Sequence, residues 1–240
     1  MSNYLKHIQS TANSKTFSRR VAYLSYNFSF YLNQLSKSSR VLEVGPGKGE
    51  LLSILNQKNI KNLDIIDNDQ AVLDYCQKTY QLKQTTLLKT DQSIKNLKNK
   101  YDLIILTQVF EHINKDSYLV WLRGLYKALK PGGHILITVP NGANPLSGTE
   151  RYGDLQHQNI FTIYSLNELI TFANLKNASH KIIGFNIPLT NPINLVRIVL
   201  QKILHSIFIL LMIINGAIYQ TLMAPNITLV IKKNKWKKTT

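Results

Sequence analysis

Acidic side chains and cysteine are what this chain has least of. Only 13 of its 240 residues are Asp or Glu, against 29 Lys and Arg, which leaves a net charge of +16. An excess of that size attracts nucleic acid, anionic lipid or acidic substrates. Part of it is background, because Lys, Asn, Gln and Ile are abundant throughout, as an AT-rich genome produces. The lone Cys76 excludes an internal disulfide framework. The polar start MSNYLKHIQS lacks the apolar core of a secretory signal, so a cytoplasmic protein is the simplest expectation. No internal repeat or low-complexity linker is present, although Lys232 to Lys238, KKNKWKK, forms a basic tail. The 44% hydrophobic content is enough for the core of one domain spanning residues 1–240.

What is there alternates between strand and helix signals. A helix over 18–36, within an N-terminal segment 1–39, leads to the short apolar strand RVLEV and a glycine turn, after which ELLSILNQ begins a helix. NLDIID reads as the second strand and DQAVLDYCQKTY as a helix, with Val72, Leu73 and Cys76 at helical spacing. TTLLKT and YDLIILT follow as strands. SYLVWLRGLYKALK is then a helix stopped by Pro131-Gly132-Gly133, and HILITV is the fifth strand. Five strands alternating with helices imply an α/β fold, a doubly wound and mostly parallel sheet covered on both faces. A helix near Leu166–Asn174, a strand near 180–187 and a last strand NITLVIKK complete seven strands.

In such a sheet, ligands sit beyond the carboxyl ends of the strands where the winding reverses. That places VLEVGPGKGELL, Val41 to Leu52, at the pocket. A Walker phosphate loop would require Ser or Thr after Gly47-Lys48, and Gly49 stands there. A dinucleotide fingerprint counted from Gly45 would require a third glycine where Glu50 stands. The order Glu43, Gly45, Gly47, Gly49 after a strand instead resembles the first motif of class I S-adenosylmethionine-dependent methyltransferases. The likeness continues through Asp67, 22 residues after Gly45, through Asp91, and through YDLIILTQVFEHI and LYKALKPGGHILITVPN, covering residues 40–140.

The resemblance implies S-adenosyl-L-methionine as cofactor. It places Asp67 on the ribose hydroxyls, Asp91 on the adenine amino group and Glu43 near the methionine ammonium, with Gln108 lining the same pocket. A carboxylate suits a diol because it accepts two hydrogen bonds. For the methyl acceptor, the fourth-strand stretch Thr107-Gln108-Val109-Phe110 lacks the Asn/Asp-Pro-Pro-aromatic clamp for a flipped base. Cys76 lies on a helix away from the role of a cytosine-attacking nucleophile. Nucleic acid therefore ranks behind a small or lipid-linked hydroxyl acceptor.

A hydroxyl needs a base, and neutral histidine suits that task near pH 7. His157, in the long polar loop TERYGDLQHQNIFT, is the first candidate and His112, in VFEHI, the second. Their structural alternatives are a loop-stapling hydrogen bond for His157 and the orientation of Glu111 for His112. Arg151 and Tyr152 are candidate acceptor contacts, by forked bonding and stacking, or ordinary surface residues. Asp154 and His157, three apart, lack further ligands at helpful spacing, so no metal is expected.

Residues 141–190 therefore read as an acceptor loop and helix, 191–224 as an apolar helical insertion, and 225–240 as the last strand and tail. In the insertion, polar residues recur at Asn194, Arg197, Gln201 and His205, and the 21 residues Ile203 to Met223 carry no charge. One membrane crossing would strand the last strand on the far side. An in-plane helix, a re-entrant hairpin, or a buried lid or homodimer helix remain open. Similar late insertions occur in methyltransferases resembling those of surface-polysaccharide biosynthesis, which implies a lipid-linked sugar acceptor at the inner membrane face. An RNA methyltransferase and a non-catalytic membrane interaction module are the alternatives.

Overall fold

The computed structural model describes residues 14–97, 100–216 and 220–235. Its seven strands form one sheet in the order β3-β2-β1-β4-β5-β7-β6. They are β1 Arg40–Val44, β2 Asn62–Asp67, β3 Gln84–Leu87, β4 Tyr101–Thr107, β5 Leu129–Pro140, β6 Ala178–Gly184 and β7 Asn226–Lys233. The first five pair in parallel, and β7 runs antiparallel to both β5 and β6. The helices are α1 Ser14–Leu32, α2 Glu50–Gln57, α3 Gln70–Thr79, α4 Tyr118–Ala128, α5 Gly148–Tyr152, α6 Ile163–Ala173 and α7 Pro192–Ile214. This is the doubly wound, mostly parallel fold that the alternation of elements implies.

The strand alternation divides the core between the two faces. Leu42 and Val44 join Trp121, Leu125 and Leu229 on one side, while Val41 joins Phe28, Leu55, Leu63 and Leu73 on the other. Period-two alternation of a strand buried on both faces gives this division directly. At the amino edge, Arg40 Nη2 and the Tyr101 hydroxyl both donate to Asp64 Oδ2, at 2.6 and 2.9 Å, tying β1, β2 and β4 together. That ion pair fixes the sheet far from the carboxyl edge, which is left to the loops.

Several boundaries move from their expected places. The first helix begins at Ser14 and ends at Leu32, and β6 begins at Ala178 and ends at Gly184. α4 stops at Ala128, before the Pro-Gly-Gly turn, because Leu129 already pairs with Tyr101 in the sheet. The uncharged run Ile203 to Met223 is not a single helix. α7 starts earlier, with Asn191 as its cap and Pro192 in the first turn, and it ends at Ile214 before Asn215 and Gly216 (φ +71°).

The described lysines of the basic tail lie at the other edge of the sheet from α7. Lys232 lies opposite His134 and Lys235 packs near Gly132, at the amino edge of the sheet. α7 follows β6, whose end Gly184 pairs beside Ile227 at the carboxyl edge. Five strand steps of about 3.3 Å, from Ile227 to Lys232, separate the two, roughly 17 Å. Lys233 is engaged internally, donating to the carbonyls of Tyr126 and Leu129. Lys237 and Lys238 lie outside the described residues.

Candidate functional site

The turn between β1 and α2 is a backbone cradle. Gly47 has φ +53°, and a methyl group on its Cα would meet nothing within 4 Å, so the open space in front of it is available to a ligand. A side chain there would be strained as well as intrusive. Gly49 caps α2 in the left-handed region, and its face is closed by Tyr80, whose hydroxyl donates to the Lys48 carbonyl at 2.8 Å. The Gly45 amide donates to the Ile66 carbonyl at 2.8 Å, fixing the start of the turn against β2.

Two acids flank this cradle from the strand ends. Glu43 on β1 is buried, Oε2 has no hydrogen-bond partner, and burial followed by the charges of Glu50 and Asp67 raises its pKa. An orphaned carboxylate oxygen beside an open turn fits a cationic ligand group such as an ammonium. Asp67, at the end of β2, is pushed up to about 6, chiefly by burial. Its Oδ1 accepts the Asp69 amide at 2.9 Å. Asp91 opens the short 3-10 turn after β3, and its Oδ1 accepts the indole N–H of Trp121 at 3.0 Å. The bond aims Asp91 from behind, a support that sequence spacing does not reveal. Cys76 lies under the turn, buried and with its thiol pushed up by burial.

The Gln108 side chain lies just past the end of β4. It is exposed, its backbone has φ +56°, and its amide donates to Asn226 Oδ1 at 3.1 Å, which ties it to the start of β7. Val109, next along, is the residue that would meet a side chain at Gly45, so this segment lies against the glycine turn.

Just beyond it, Glu111, His112 and His157 converge, their ligand-capable atoms all within 4.8 Å of one another. Glu111 is fully buried, neither carboxylate oxygen has a hydrogen-bond partner, and burial pushes its pKa up to about 8. The His112 and His157 rings lie 4.7 Å apart, and burial, then His157, lowers the His112 pKa. The loop is fastened here by the amides of Gln158 and Asn159, which donate to the Glu111 carbonyl at 3.0 and 3.3 Å. Both histidine candidates are thus brought together, and Glu111, which the sequence presents only as a neighbour of His112, is the residue that joins them. Asp154 is spent on its own loop, accepting the Gln156 amide at 2.8 Å.

Arg151 and Tyr152 lie on α5, with the guanidinium 5.2 Å from the Tyr152 ring centre and the ring itself exposed. They stack on each other, leaving Arg151 Nε buried and unpartnered. Beside α5 a groove of about 320 Å³ runs between the acceptor loop and α7, lined by Leu146, Glu150, Arg197, Leu200, Leu204 and Phe208.

A family described as "Methyltransferase domain" matches residues 15–180. The polyamine aminopropyltransferase of Saccharolobus solfataricus is 31% identical over 101 residues, covering 38% of this chain and 34% of its own length. The chain thus spans about a third of the length of that curated relative. Among solved structures, a SAM-dependent methyltransferase from Archaeoglobus fulgidus superposes with a TM-score of 0.64 at 16% identity, covering 97% of this chain and 100% of the other. The plantazolicin methyltransferase BamL, solved with a triazolic desmethylPZN analog and SAH, gives 0.62 at 19% identity, covering 97% and 90%. At these identities the structural likeness is one of fold.

Proposed function

The chain belongs to the methyltransferase-domain family and carries the fold and cofactor cradle of a class I S-adenosylmethionine-dependent methyltransferase, and on that premise we propose that it methylates a hydroxyl oxygen of a sugar or other lipid-linked acceptor at the cytoplasmic face of a membrane. Bound S-adenosylmethionine supplies an electrophilic methyl group. Glu43 would hold its ammonium, Asp67 its ribose diol and Asp91 its adenine, with Gly47 leaving room for close backbone approach. Methyl transfer is an in-line displacement, so the protein's contribution is to hold acceptor and methyl close and to take the acceptor's proton. The Glu111, His112 and His157 cluster receives that proton, with His157 foremost because it lies on the loop that borders the groove. Arg151 and Tyr152 follow Glu150, which lines that groove, on α5.

The orientation of α7 carries the lipid-linked part of this reading. Its polar and half-buried positions Asn194, Gln201 and His205 turn toward the protein, while Ile193, Val199, Ile203, Leu210 and Ile214 are all exposed. A helix on a water-facing surface shows the reverse pattern. α7 is long and apolar enough to cross a membrane, and none of its most apolar stretch is buried within the chain. The chain's return to β7 favours a helix lying in the interface, its outer face among lipid and the groove behind it open to a lipid-anchored acceptor.

Incubation with methyl-labelled cofactor and fractionated cell extract tests the acceptor class. Label in the lipid fraction is the expected result, and label in RNA would overturn it in favour of nucleic acid. In liposome flotation, V199E/I203E/L210E should abolish binding while K232E/K235E, at the far edge of the sheet, should alter it little. A tight dimer that ignores vesicles and falls apart in the triple variant would make α7 a subunit interface.

A further inference from the structure

The cluster behind the acceptor loop presents lone pairs with no hydrogen between them. His157 Nδ1 lies 3.4 Å from the Arg151 carbonyl. A carbonyl only accepts, so Nδ1 carries the ring hydrogen and Nε2 is left with its lone pair. That Nε2 faces Glu111 Oε1 at 4.0 Å, beyond hydrogen-bond reach. His112 hydrogen-bonds the Gln156 backbone, and its Nδ1 is buried without a partner. Both Glu111 oxygens are likewise buried without partners. Acceptors from three side chains thus converge on one small volume, with both Glu111 oxygens and His112 Nδ1 shielded from water. Such a group is costly unless a cation lies among its members.

We infer that Glu111, His112 and His157 form a binding site for a single divalent transition-metal ion of the zinc type. Two imidazoles and one carboxylate are a donor set that such ions take while keeping positions open for a further ligand. The second shell is present: the Arg151 carbonyl sets the His157 tautomer, and the Gln156 backbone orients His112. Glu111 and His112 come from the 3-10 turn Phe110–His112 after β4 and His157 from the acceptor loop, so the ion would also clasp the two loops together. Bonds of about 2.0–2.2 Å require the three donor atoms to draw in by roughly 1 Å or less. At an open position such an ion takes an oxygen ligand and lowers its pKa. With the ion bound, the His157 lone pair is coordinated, so the acceptor's oxygen would lose its proton as a metal ligand rather than to His157 directly. This revises the proton-handling step of the proposed methyl transfer and rests on that reading for the identity of the oxygen ligand, but the site itself rests only on the three side chains.

The test is a cobalt titration of chelator-stripped, tag-free full-length protein, followed by visible absorption and by competition with zinc. One equivalent of Co²⁺ with ligand-field bands displaced by Zn²⁺ is expected. E111Q and H157A should each weaken cobalt binding tenfold or more, while H180A, a histidine elsewhere on the surface, should not. S-adenosylhomocysteine calorimetry on the same samples reports whether each variant is folded. Should E111Q fail to fold, H157A, on a surface loop, carries the comparison. The absence of saturable cobalt binding in wild type, or full binding in both variants, would overturn the metal site. S-adenosylhomocysteine binding without cobalt binding removes the metal alone, whereas cobalt binding without S-adenosylhomocysteine binding removes the methyl-transfer reading and leaves the site.

Discussion

The cofactor side and the acceptor side of this molecule are built by different means. Around Glu43, Gly47, Asp67 and Asp91 the site is made from strand ends and a turn, each held by its place in a sheet of regular spacing. Around His157, α5 and α7 it is made from a loop and an insertion, positioned by contacts between residues far apart in the chain. The glycine turn is fixed by the Gly45 amide on Ile66 and the Tyr80 hydroxyl on Lys48, whereas His157 is fixed by the amides of Gln158 and Asn159 on Glu111. The first arrangement suits a ligand of constant chemistry, and the second can be rebuilt for a new acceptor without disturbing the first.

If the two sides are separable, changes on one should leave the other's readout intact. The largest effect is expected from H157A. Loss of the residue that handles the acceptor's proton should lower turnover about a hundredfold to ten-thousandfold, with cofactor affinity near wild type. Steady-state kinetics with a confirmed acceptor, beside calorimetry, checks both halves. H112A is the companion variant, and a greater loss there would exchange the two roles.

D67A comes next. Removing a charged acceptor of hydrogen bonds costs about 1.5–3 kcal/mol, which corresponds to roughly a ten- to 150-fold weaker cofactor affinity. The fold should persist, because Asp67 stands at a strand end rather than within the apolar core. G47V should weaken binding in the same direction, through strain at φ +53° and through filling the open space. A comparable loss of cofactor binding in H157A would break the separation.

The smallest effect is a pH dependence. Burial raises the Asp67 pKa to about 6, so its neutral form favours the folded, ligand-free protein. That contribution to stability is complete below the ordinary carboxylate value and is lost as pH rises through about 6. Cofactor binding runs the other way, because a ribose diol needs the ionised carboxylate. Affinity should therefore fall as pH drops through about 6, by up to about tenfold between pH 7 and pH 5. Glu43, raised in the same direction, acts with the same sign. Calorimetric titrations across that range check it, and an affinity that rises on acidification would contradict the assignment.

The same contrast explains what can be read from the residues alone. Strand β1, the turn and Asp67 are legible because period-two burial and short-range spacing determine them. Asp91 is legible as a position, but its Trp121 partner is 30 residues away and becomes visible only in the folded chain. Glu111 does not stand out in the sequence as a site residue because the feature that marks it, two buried oxygens without partners, is a property of packing. The bond from the Gln108 amide to Asn226 is not legible in the sequence, because the two residues are 118 positions apart. Charge and proximity in sequence group the basic tail with the insertion, whereas β7 runs antiparallel and carries Lys232 and Lys235 to the opposite edge.

Calorimetric titration of S-adenosylhomocysteine into wild type, D67A and H157A tests the central claim most directly. One binding site per chain is expected in wild type, markedly weaker binding in D67A, and wild-type affinity in H157A. No binding by the wild-type protein, or an equal loss in both variants, would contradict the account of a cofactor cradle separate from the acceptor side.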